Sequence, residues 1–365
     1  MTLLRGIEDI DWSQWTHAYG PATDVPDLLL DLESTDSQEA AKHELWGNIW
    51  HQGTVYPATK HAIPWLIKLL APESTADRVW ILTYLSELAW GNSYMRQHAQ
   101  YDDDGSEDYA NRMAEEVSHV DAARQAVVDG LPVYAGLLED DDPQIRAGTC
   151  TLIAMIPELL NRAREDESVW ATFTKLMADP EVVVRAAAVM GLGWVREWEL
   201  VSDVLEKALN DEHVAVRWAS AWAHGFHSKL TQPTIQILLE AIEDPTPIND
   251  ALDGLLKRGA DAESAGPLLR APEEFLDDVL TGLLKQLKAA TDFDALNTTE
   301  LLLVLCFRQD KAPADAAELT PSQALALKTI AESDNVWVFD GNMTNILWHW
   351  GLPQRRAELQ AFLGE

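Results

Sequence analysis

Basic residues are scarce in this chain. Its 365 residues include 27 Lys and Arg against 60 Asp and Glu, a net charge of −33. A surface this acidic repels phosphate backbones and argues against ordinary nucleic-acid binding. Anionic membrane surfaces are disfavoured for the same reason. Cysteine is almost missing too: Cys150 and Cys306 are too few for a disulfide framework or a zinc ligand set. No stretch approaches the ~18 apolar residues of a membrane span. The opening residues Met1–Asp9 lack the apolar core of a signal peptide, so the expected location is cytoplasmic. No phosphate-binding loop, dinucleotide fingerprint, HExxH, GxSxG or kinase signature occurs, and no cofactor is expected.

What is present is a folded composition with a repeat in it. The hydrophobic fraction is 47% and there are 15 Trp, a residue that dominates cores and interfaces. Three segments align without gaps: Asp140-Asp141-Asp142-Pro143-Gln144-Ile145-Arg146, Asp179-Pro180-Glu181-Val182-Val183-Val184-Arg185 and Asp211-Glu212-His213-Val214-Ala215-Val216-Arg217. Each begins with Asp, reaches Arg six residues later and follows an apolar helix end. The arginines lie 39 and 32 residues apart, a period that means stacked helical hairpins. The chain also exceeds the length at which one core keeps growing, which an elongated array resolves.

The rest of the chain reads around that array. Residues 1–120 form an N-terminal helical segment of divergent hairpins, 121–250 the repeat array, and 251–365 divergent repeats ending in a cap. Helices are expected over Glu39–Trp50 and Ala58–Ala71, the second kinked or shortened by Pro64. Arg78 lies 68 residues before Arg146, close to two periods, which hints at an earlier repeat with an expanded neighbour. Residues 101–108 read as an acidic loop; carboxylates there could bind a divalent cation, but the spacing is not that of an EF-hand. Asp244-Pro245 resembles a further repeat start with Asp250 in the arginine slot. Leu319-Thr320-Pro321-Ser322-Gln323 is a helix start, and Gly351-Leu352-Pro353 sets off a last helix.

Asp at a turn and Arg in the following helix resemble the HEAT-repeat signature, including the short bacterial forms called PBS-lyase HEAT-like repeats. Asp179-Pro180 through Arg185 to Gly193 carries the likeness most fully. The resemblance implies an all-α, right-handed α-solenoid of helical hairpins with irregular terminal caps. It also implies that Arg78, Arg146, Arg185 and Arg217 form a structural ladder with the aspartates of adjacent repeats. The two ends, Asp11-Trp12 to Pro26 with His51-Gln52-Gly53-Thr54-Val55-Tyr56-Pro57, and Leu319-Thr320-Pro321 to Pro353, resemble a set of bacterial HEAT-domain proteins. Some of those look like toxin-immunity proteins.

The arginine frame allows slots to be compared. Three, seven and ten residues beyond the arginine, the sets Ile81/Leu85/Leu88, Thr149/Ile153/Ile156 and Ala188/Leu192/Val195 make a largely apolar stripe. The fourth set, Ser220/His224/His227, breaks it. His224 and His227 share a helix face and are weak metal candidates, with hydrogen-bonded histidines as the plainer reading. A second face, Ala186/Met190/Trp194 and then Trp218/Trp222/Phe226, grows aromatic along the array. Periodicity leaves open whether it is a binding surface or core. As a surface its contacts would be Trp194, Trp198, Trp218, Trp222 and Phe226. The N-terminal block holds His17, His43, His51 and His61 near Trp46, Trp50 and Tyr56; a metal or hydrolytic site is one reading, and a structural aromatic-lined pocket or capped helix junction is the plainer one.

The expected activity is therefore binding without catalysis. A basic protein partner suits the charge, with no nucleic acid and no membrane, and the sharpest form is an acidic immunity or inhibitor protein that blocks a basic toxin. Alternatives are a general protein-interaction scaffold and, further off, a HEAT-like nucleic-acid-processing enzyme or a metal-dependent enzyme.

Overall fold

Each repeated Asp-to-Arg segment folds as a closed turn leading into a helix. Asp140, Asp179 and Asp211 each accept the amide two residues on, from Asp142, Glu181 and His213, at 2.9–3.0 Å. The following helices then begin with a second cap: Asp142 accepts from Gln144 N, and His213 Nδ1 from Ala215 N. Such caps satisfy amides that have no partner in the first turn. The same device starts Arg78–Trp90 at Asp77, Tyr94–Asp102 at Ser93, and Glu107–Val128 at Ser106. Thr320 and Gln323 form a reciprocal capping box at the head of Pro321–Glu332.

The computed structural model describes residues 3–256, 258–308 and 310–364. It holds 21 α-helices and, among the described residues, no strand longer than two residues. The protein is an all-α HEAT-like helical-repeat solenoid. Two small antiparallel hairpins near the N-terminus depart from the all-helical expectation: Thr16–His17 with Gly20–Pro21, and Trp50–His51 with Thr54–Val55. In the second, Gln52 and Gly53 have φ of 50° and 88°, the left-handed pair that a two-residue hairpin turn requires.

The chain divides into two compact units, Met1–Gly191 and Leu192–Glu365. Neither residue 120 nor residue 250 is a break, because 120 lies inside the 22-residue helix Glu107–Val128 and 250 inside Thr246–Ala251. In the first unit Arg78–Trp90 packs on Pro143–Met155, which packs on Val182–Gly191. Arg78 and Arg146 therefore belong to stacked neighbours rather than to helices two repeats apart. The extra length between them is an enlarged connection, and its long helix also covers Thr59–Lys68. That last helix retains Pro64 in its interior and ends at Lys68, short of Ala71. The expected acidic loop shrinks to residues 103–106, since Glu107 and Asp108 open the long helix, where acids suit its dipole. The side chains of Tyr101 and Asp102 lie outside the described residues.

In the second unit, Trp198–Ala208 packs on Val214–Phe226, and Val214–Phe226 on Gln232–Glu243. Gly225 is required there: a Cβ would lie 2.4 Å from Pro267 Cβ. The C-terminal part runs through Leu276–Ala289, Asp292–Phe307 and Pro321–Glu332 to Arg356–Phe362, each packed on the one before.

Arg78 and Arg146 tie neighbouring repeats together. Arg146 donates through NH1 to the carbonyls of Asp140 and Asp141, at 2.8 and 3.1 Å. Its Nε and NH2 meet both carboxylate oxygens of Asp179, at 3.1 and 3.0 Å. Arg78 donates to Leu70 O and pairs with Asp140. Arg185 and Arg217 hold the carbonyls of their own turns, Asp179/Pro180 and Asp211/Glu212. Burial would raise the carboxyl of Asp140, but the Arg78 hydrogen bond, the Asp142 amide and the charges of Arg78 and Arg146 hold it below the usual carboxylate range.

The slots three, seven and ten beyond the arginine are core, from Ile81, Leu85 and Leu88 to Ala188, Leu192 and Val195, all buried. The first slot of the aromatic face is core as well. Ala186 and Trp218 are each 0% exposed, and Trp218 Nε1 donates to Ser264 Oγ at 2.9 Å. Trp218 thus has no surface to offer a partner, because its slot faces into the packing of the hairpins.

Three predictions follow from this packing. Arg146→Met strands the Asp179 carboxylate, whose side chain is only 8% exposed, and should cost about 3 kcal/mol or more in urea unfolding. Asp140→Asn should lower stability at neutral pH. Its deficit against wild type should vanish as pH falls through the depressed Asp140 pKa, because an ionised group with a lowered folded pKa stabilises only above that range. Trp218→Ala should cost about 3–5 kcal/mol by the same measurement.

Candidate functional site

The remaining aromatic residues of the array sit where the core opens. Trp222 is 5% exposed, while Trp194, Trp198 and Phe226 are half-buried. Phe226 stands 4.1 Å from Trp222 and 5.2 Å from Trp194, between ring centroids. Arg270 lies over the outer side of this group, 4.8 Å from the Phe226 ring, with NH1 near Gly225 O. Trp222 Nε1 is buried without a hydrogen-bond partner among the described residues. The patch is thus a small aromatic cluster with one cation on it, not a broad aromatic face. The spacing of Trp194, Trp222 and Phe226 was readable in sequence; Arg270, from a distant helix end, was not.

His224 and His227 flank Trp198, both rings 5.1 Å from it and edge-on. His224 Nδ1 donates to Ser220 O at 2.8 Å and His227 Nε2 to Leu192 O at 3.1 Å. A carbonyl only accepts, so each bond assigns the proton to that nitrogen. The remaining His224 nitrogen is buried, with Glu206 Oε1 3.7 Å away. Among the described residues no three His, Cys, Asp or Glu side chains gather as a metal site. The pair therefore packs against tryptophan where leucine-like residues would otherwise stand.

The four N-terminal histidines separate. His17 takes the Tyr19 amide on Nδ1 and donates from Nε2 to Asp24, 2.9 Å away; Asn48 holds the other Asp24 oxygen. His43 is exposed. His51 bonds the Gly47 carbonyl. His61 stacks on Trp15 at 4.1 Å, and Lys60 lies over the same ring. Burial, with Lys60 adding to it, holds both His61 and His119 below the ordinary histidine range. These contacts lock the N-terminal hairpin and helices together and do not converge on one point.

A cleft opens beside them that sequence reading only partly anticipated. It encloses about 550 Å³. Val55 N donates to Asn92 O and Asn92 N to Gly53 O, which pins the second hairpin to the segment before Tyr94. That brings Tyr56 to the cleft with Tyr94 and Met95. The facing wall is one side of Glu107–Val128: Tyr109, Arg112, Glu116 and His119, three and four residues apart. This spacing was visible in the sequence. The acidic stretch before it reads as loop and hides the helix that carries it. Glu116 accepts the Met95 amide at 2.9 Å, and Tyr109 donates to Met95 O. In the preceding turn Gly105 N and Ser106 N occupy the Asp103 and Asp104 carboxylates.

The cysteines carry no visible chemistry. Burial raises the thiol of Cys150 far beyond its ordinary range and pushes Cys306 up to about 11. Among the described residues no helix is long and apolar enough to cross a membrane.

The family model for HEAT repeats matches residues 131–223 and, in a second overlapping placement, 170–251. No curated protein matches the chain. The matched span contains the turns of Asp140, Asp179 and Asp211 and the arginines that hold them. HEAT repeats of this kind build helical scaffolds for protein interaction. The turn geometry and the matched span make residues 131–251 a run of HEAT repeats.

Proposed function

We propose that this HEAT-repeat protein binds a basic protein without catalysing a reaction, and that it acts as an inhibitor or immunity protein covering the working surface of a basic toxin. The observation that carries this reading is the charge of −33. Arg78 and Arg146 are paired with aspartates of the next turn, so these rungs leave the excess of 60 Asp and Glu over 27 Lys and Arg unchanged. Such a field accelerates encounter with a cationic protein and disfavours anionic competitors. The half-buried Trp194, Trp198 and Phe226 supply the desolvated anchors that charge alone lacks. A soluble cytoplasmic setting suits a toxin neutralised before it acts. A general scaffold for cellular proteins uses the same surface with less selectivity.

The test is capture by the tagged full chain from its native lysate at low and high salt, alongside the Trp194→Ala/Phe226→Ala double variant. Far-ultraviolet circular dichroism confirms that the variant is folded. A basic protein held by wild type and depleted in the folded variant is the expected result. No specific protein at either salt, or recovery of nucleic acid, overturns the reading.

A further inference from the structure

The cleft of the first unit has a chemistry of its own. Its volume of about 550 Å³ falls in the range of ligand pockets, roughly 300–1,000 Å³. Tyr56, Tyr94 and the buried Tyr109 line it. Tyr94 is 50% exposed and braced by His98, stacked 4.1 Å away. Glu115 and Glu116 stand at the same cleft. Glu116 gives one oxygen to the Met95 amide, which fixes its carboxylate in place. The Glu115 carboxylate makes no hydrogen bond among the described residues. The single cation of the lining, Arg112, is engaged by Asp108 at 3.1 Å, one helical turn back. The cleft therefore carries net negative charge.

We infer that this cleft receives an arginine or lysine side chain presented by the basic partner. Aromatic faces attract a cation through their quadrupoles, and tyrosine does so best where water is partly excluded. A carboxylate beside them adds a charge-assisted hydrogen bond and sets orientation. Phosphate-bearing or carboxylate ligands meet Glu115 and Glu116 and are repelled. A purely apolar side chain leaves those two carboxylates partly desolvated without a partner, which is costly. The inference rests on the basic-partner reading above and adds a place and a chemical group to it.

The experiment titrates N-acetyl-arginine methylamide into the full chain by isothermal calorimetry or ligand-observed nuclear magnetic resonance, with N-acetyl-norleucine methylamide as the uncharged control. The same titrations use a Tyr94→Ala/Glu115→Gln variant and a Glu318→Gln variant, which removes an exposed acid elsewhere. The arginine probe should bind wild type and Glu318→Gln alike and lose about tenfold in affinity in the cleft variant; norleucine should not bind. No binding of the arginine probe, equal binding of norleucine, or equal loss in Glu318→Gln overturns the inference. A captured basic protein held equally by wild type and the cleft variant also overturns it, while leaving the basic-partner reading intact. Probe binding in the cleft with no basic protein captured does the reverse.

Discussion

The repeat stands on a guanidinium placed between two turns. Arg146 shows the arrangement most fully: one nitrogen holds two carbonyls of its own turn and two others grip Asp179 of the next. Asp179 in turn closes its own turn through the Glu181 amide. A half-buried charge survives only when several partners replace its water, and the planar fork of arginine supplies them at once. Lysine could not hold the same set. Register between neighbouring hairpins is thereby fixed by a polar contact, while the apolar stripe beneath supplies the adhesion.

That contact is close to neutral in charge, since Arg78 and Arg146 each take an aspartate inward with them; the acidity of the surface comes from the excess of 60 Asp and Glu over 27 Lys and Arg. Two places in the described residues set aromatic rings beside charge. One is the Trp194, Trp222 and Phe226 cluster under Arg270; the other is the tyrosine cleft beside Glu115 and Glu116. Under the proposed function, the negative field would serve attraction at a distance and the aromatic groups fit at contact.

Much of this was legible residue by residue. Pro143 and Pro180, the aspartates before them and the arginines after them announce capped helices at one period. Thr320-Pro321 with Gln323 announces its capping box. The hairpin around Gln52-Gly53 was not legible, because strands of two residues carry no periodicity. The long helix Glu107–Val128 was hidden behind its acids, which favour a helix start as readily as a loop. The cleft was lost with it.

The sequence by itself determined the helical-repeat class, the positions of the ladder arginines and the sign of the surface. Each of these depends on local pattern or on a simple count of charges. Only the tertiary structure decided which aromatic residues are core. Trp218 and Phe226 occupy the same helical face two turns apart, yet Trp218 meets Ser264 from a helix 46 residues away while Phe226 stays half-open under Arg270. Periodicity places side chains around a helix axis, but burial depends on what other helices bring against each level of it. For the same reason the cleft exists only because a hairpin, pinned through Asn92, carries Tyr56 to a helix that begins 51 residues later.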